Sequence, residues 1–129
     1  NLSYIESDAF IDLKSLRYLN LSFNKLDLLE KNLTYPLKNL LMLDMSHNKI
    51  KHIENDSFMN LKYLLHLHLN NNMFNKINKR AFAGLDSIKD IYISKEIFLD
   101  NDQNIFNLKN SFKLKLYRKV LEYRFYESI

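Results

Sequence analysis

Cysteine is absent from all 129 residues. No disulfide frame, thiol nucleophile or thiolate metal site is therefore available, and cysteine usage is silent on the redox compartment. Long apolar runs are missing as well. Stretches such as Leu40 to Leu43 fall far short of the ~20 residues that a membrane-spanning helix requires, and no charged-then-apolar leader opens the chain. An excess of one charge is missing from most of the sequence. Residues 1–108 carry 13 basic and 13 acidic side chains, whereas residues 109–129 carry six basic and two acidic. The net charge of +4 belongs to the tail, which argues against a basic body built for nucleic acid. With 47% hydrophobic and 26% charged residues, the composition is that of a folding globular chain.

What is present is a period. Leu16, Leu19, Leu21, Asn24, Leu26 and Leu29 shifted by 24 residues become Leu40, Leu43, Met45, Asn48, Ile50 and Ile53. A second shift gives Leu64, Leu67, Leu69, Asn72, Phe74 and Ile77. A third gives Ile88, Ile91, Ile93, Glu96, Phe98 and Asn101, where the apolar strand survives and the asparagine is lost. Two further rows share the spacing: Phe10, Phe58, Phe82 and Phe106, with Thr34 in the gap, and Leu13, Leu37, Leu61 and Leu85.

The pattern resembles the leucine-rich-repeat family, whose consensus is Leu-x-x-Leu-x-Leu-x-x-Asn-x-Leu. The 24-residue coil and the "AFAGL" at Ala81 to Leu85 are similar to animal extracellular repeats of the Toll-like, Slit-like and receptor-ectodomain kind. That resemblance implies an α/β, right-handed solenoid with a parallel sheet on the concave face and loops and short helices on the convex face. It also implies a secreted or cell-surface parent, although the cysteine-bonded caps and the "NPWxC" ending of that class have no counterpart here. The expected organisation is a partial repeat at 1–15, repeats at 16–39, 40–63 and 64–87, a degenerate repeat at 88–108, and a basic, aromatic cap or extension at 109–129.

Physical reasons accompany the rows. Alternate strand side chains point to opposite faces, so the leucines of Leu-x-Leu enter a core that one coil cannot close and stacked coils can. Where the chain turns sharply after each strand, an amide side chain can donate to and accept from the exposed backbone. Asn24, Asn48 and Asn72 are therefore expected to form a structural ladder, and Glu96 to end it.

The outward strand positions make the candidate binding face. Tyr18, Met42, His66 and Asp90 form one row and Asn20, Asp44, His68 and Tyr92 the next; Asn70 and Ser46 fall in the third, and Phe23, His47, Asn71 and Lys95 in the fourth. Aromatic and two-way hydrogen-bonding groups of this kind are enriched at protein interfaces. The expectation is a protein-binding module with no enzyme activity, cofactor, metal, nucleic-acid partner or membrane contact from the solenoid; the alternative is a structural spacer in a longer repeat array. Three histidines beside Asp44 and Asp90 invite a metal reading, but an open sheet closes no tetrahedron. Solvated polar residues or a pH-sensitive contact fit them better. Ser46 beside His68 lacks any oxyanion donor or pocket. Sequons at Asn1, Asn32 and Asn55 are candidate glycan sites, with a fourth at Asn20 on the binding face.

The tail, "FKLKLYRKVLEYRFYES", reads two ways. Phe112, Leu114 and Leu116 alternate with lysines as in a strand, while Phe112, Leu116, Val120 and Tyr123 suit one face of a helix. A helix capping the last coil is the expectation, with a basic partner-binding or membrane-surface segment as the alternative.

Overall fold

The computed structural model describes residues 1–74, 77, 79–94, 113–120 and 123–128, the last two stretches as backbone strands. Expectations for Lys95, Glu96, Phe98, Asn101 and Phe106 lie outside these residues.

Strands β1 (Tyr18–Asn20), β3 (Met42–Asp44), β5 (His66–His68) and β6 (Asp90–Ser94) lie side by side in that order, all parallel. Their register is the sequence period itself: Tyr18 pairs with Met42, Met42 with His66 and His66 with Asp90. The backbone repeats with equal fidelity. Leu21, Met45 and Leu69 each donate an N–H to the next coil, to the carbonyls of Asp44, His68 and Tyr92 at 2.8, 2.9 and 2.7 Å. A shorter parallel pair, β2 (Leu28–Leu29) with β4 (His52–Ile53), runs along the far side. The convex side carries one helical turn, α1 (Lys31–Thr34), and a 3-10 turn at Lys79–Phe82.

The core is one stack of period-related side chains. Leu43, Leu67 and Ile91 are fully buried, and so are Met45 and Leu69 just after the strands and Leu40 and Leu64 just before them. Each contributes about 1.5–3 kcal/mol through removal from water. Phe58 and Phe82 continue the stack behind the leucines, ring centroids 6.1 Å apart. Thr34 fills the gap in that row, and its hydroxyl donates to the Ser57 carbonyl of the next coil. Gly84, at φ 87°, lies so close to the preceding coil that a Cβ there would stand 2.5 Å from Met59 Cα and O.

At the turn after each strand, asparagine side chains satisfy the backbone. Asn48 Nδ2 donates to the carbonyls of Leu21, Met45 and Ser46 at 2.9, 3.1 and 3.2 Å, and its Oδ1 accepts from Leu26 N–H at 3.1 Å. Asn72 repeats this on Met45, Leu69 and Ile50 N–H. Asn24 does so on Leu21, Ser22 and Leu2 N–H. Every one of these amides ties its own coil to the coil before it.

The expected helix in the tail is corrected. Residues Lys113–Val120 form β7, parallel to β6 with Ile91 opposite Leu114 and Ile93 opposite Leu116, and Tyr123–Ser128 form β8, antiparallel to β7. The open edge of β6 decides the matter, because its unpaired N–H and C=O groups reward any period-two segment placed beside them. The step from Ile91 to Leu114 is 23 residues rather than 24.

Candidate functional site: the concave sheet face

The parallel ladder sets neighbouring outward positions about 4.8 Å apart, so side chains from different coils meet. His66 Nδ1 lies 2.9 Å from Asp90 Oδ1 and His68 Nδ1 3.6 Å from Asp44 Oδ2. The two histidines of one strand thus turn to carboxylates on opposite neighbours. His68 also meets Tyr92 edge to face at 4.5 Å. Nearer the turn, Phe23 and His47 stack at 4.1 Å with their planes 9° apart, and His47 Nε2 lies 3.2 Å from Asn71 Nδ2.

Accessibility divides the expected contact residues. Tyr18 and Phe23 are 67% and 66% exposed and dominate the apolar area of this face. Met42, Asp44, His47, His66, His68 and Tyr92 are half-buried, and Asn20 is exposed with its Oδ1 accepting from Ser22 N–H and hydroxyl at 2.9 and 2.6 Å. Asn70 and Asp90, by contrast, are each only 7% exposed. Asp90 turns its carboxylate to the His66 ring rather than to solvent.

Asp44 is held by Ser46 of its own coil and faces His68 of the next. Partial burial pushes its carboxyl up, but the hydrogen bonds from His68 and from the Ser46 hydroxyl and N–H outweigh this and hold it below the usual carboxylate range. Ser46 is buried and gives its proton to Asp44 at 2.7 Å, so no histidine stands ready to activate it as a nucleophile. Among the described residues, no group of three histidine or carboxylate side chains converges on a metal position.

The rim also carries strained backbone. Phe23, His47 and Asn71 all adopt left-handed backbone, at φ 57°, 54° and 56°. That conformation costs a non-glycine residue about 1–2 kcal/mol, and the asparagine one position later fixes the turn that imposes it. Asparagine tolerates this region, so the run Asn70–Asn72 carried a signal; phenylalanine carries none.

Repeated coils in exact register, with an asparagine ladder and a parallel concave sheet, define a leucine-rich-repeat solenoid. A family model described as leucine rich repeat matches residues 1–50 and 38–96, and the chain belongs to that family. It is similar to the TLR13 chain solved in a complex with ssRNA13, with a TM-score of 0.75 and 23% identity over 92% of this chain. The chain spans 17% of that one, so the likeness concerns the fold of a few coils. No curated protein matches it.

Proposed function

We propose that this chain is a recognition module of a secreted or cell-surface repeat protein and binds a protein partner on its concave sheet. The observation that carries the reading is the conjunction of two exposed rings, Tyr18 and Phe23, with a half-buried set of hydrogen-bonded polar groups on adjacent strands. Rings of this kind, held at low entropic cost beside satisfied polar groups, are what interface anchors require. Leucine-rich-repeat membership supports it, since the extended concave surface is what solenoids offer to ligands. Asn1, Asn32 and Asn55 are exposed and would accept glycans in such a setting. Asn20 is exposed too, but its Oδ1 is engaged by Ser22.

A second reading treats the chain as a spacer within a longer array, and the 17% coverage of the similar solved chain favours it. Nucleic acid, which that chain is solved with, is a third class of ligand for the same face. Surface-immobilised chain 1–129 screened against a library of ectodomains and against single-stranded RNA separates the three. Saturable binding of an ectodomain that Tyr18→Ala and Phe23→Ala each weaken supports the first. RNA binding lost in the same variants replaces it, and no binding of either kind leaves the spacer.

A further inference from the structure

Net charge conceals how the charges of the solenoid body are arranged. At the turn that brings each coil from the convex side into its strand, the period places Lys14, Lys38 and Lys62 in one row, with Arg17 three residues after the first. All four are exposed. The coils are tied together here by Leu41 N–H to the Arg17 carbonyl at 2.7 Å, Leu65 N–H to the Leu41 carbonyl at 2.8 Å, and the Asn39 amide to the Lys14 carbonyl at 2.8 Å. The lysine backbones therefore stack near the parallel-strand spacing of about 4.8 Å. Asp12 is the acidic residue among these turns, and Asp86 takes the lysine position of the following coil and ends the row. None of the four cations forms an ion pair among the described residues.

Like charges carried on stacked backbones raise one another's electrostatic energy, and a polyanion laid along them relieves it. Beside the row runs an open groove lined by Ser15, Arg17, Asn39, Leu41 and Tyr63, with the Tyr63 ring 58% exposed. A single-stranded nucleic acid stacks a ring against base after base, and this groove offers one. A hydroxyl, an amide and a single aromatic face beside a line of cations suit a sugar chain better. The sequons leave the flank clear: none falls within 12–17, 36–41, 60–65 or 84–89.

We propose that this flank binds a sulfated linear polysaccharide, its sulfates along Lys14, Lys38 and Lys62 and one sugar ring against Tyr63. The site is separate from the concave face and does not rest on the reading proposed for it.

The test is titration of the full chain with heparin, with desulfated heparin, and with a single-stranded oligonucleotide of matched charge at low salt. Heparin binds, desulfated heparin does not, and the oligonucleotide binds at least about tenfold more weakly. The triple variant Lys14→Glu, Lys38→Glu, Lys62→Glu loses heparin at least about tenfold, and Tyr63→Ala loses it about threefold. Lys25→Glu with Lys49→Glu, at the opposite end of the strands, changes it less than about twofold. Unchanged thermal midpoints show that the exposed substitutions leave the fold intact. Heparin affinity retained by the triple variant assigns binding to another basic segment and overturns the proposal. Equal affinity for the oligonucleotide through the same lysines overturns the choice of a glycan.

Discussion

Replacing Asn48 by alanine removes one amide and leaves an uneven set of losses. Three carbonyls lose a donor, yet Leu21 O keeps the Asn24 amide at 3.1 Å and Met45 O keeps the Asn72 amide at 2.9 Å. The group stranded without a side-chain partner is Leu26 N–H, in a residue only 3% exposed. A buried donor left unsatisfied costs about 1–3 kcal/mol, and that figure, rather than four bonds added together, is the expected destabilisation. With a urea dependence of about 1–3 kcal/mol per molar, the unfolding midpoint followed by circular dichroism falls by roughly 1 M. Asn48→Asp sharpens the test. A carboxylate still accepts from Leu26 but directs negative oxygen at three carbonyls 2.9–3.2 Å away, so near neutral pH it destabilises more than alanine does. Those carbonyls and burial raise its folded pKa, so the variant regains stability as pH falls and loses it as pH rises through that value. Midpoints unchanged in both variants would refute the ladder's energetic role.

Gly84→Ala meets Met59 backbone and a φ of 87° at once, and its thermal midpoint should drop by more than that of Ala83→Gly next to it. Asp44 has a lowered folded pKa; its stabilisation is therefore full above the ordinary value of 3.8 and lost as pH falls through the folded value. The gap between wild type and Asp44→Asn in urea midpoint should accordingly close on acidification, and a gap that widens instead contradicts the assignment. Deleting residues 109–129 uncovers the edge of β6, and light scattering should then report association, since bare edges template pairing. A monomeric, equally stable truncation would mean that the tail does not protect that edge.

Most of the solenoid could be read in the sequence because its coils bury the same positions through local, repeating contacts. Leu43, Leu67 and Ile91 occupy equivalent sites, and a 24-residue shift finds them all. The tail could not be read that way. Its residues satisfy both periodicities, and the choice depends on a strand edge that exists only after the coils have stacked. The candidate face was legible as rows but not as surfaces. Asp90 stands in the same row as Tyr18, yet one is buried and the other exposed, because side-chain pairing across coils, invisible to spacing, decides which members reach solvent. The left-handed corner at Phe23 and His47 was hidden for a similar reason: the ladder imposes it on residues that do not prefer it.

The central functional claim is that recognition occurs on the concave sheet. Its most direct measurement is the affinity of an identified protein partner for Tyr18→Ala and Phe23→Ala compared with Lys31→Ala and Lys51→Ala, which change exposed residues away from the sheet. Each ring removal should weaken binding by more than about tenfold, equivalent to ~1.4 kcal/mol, while the lysine variants stay within about twofold and all four keep their unfolding midpoints. Ring variants that bind normally while a lysine variant loses affinity would contradict it.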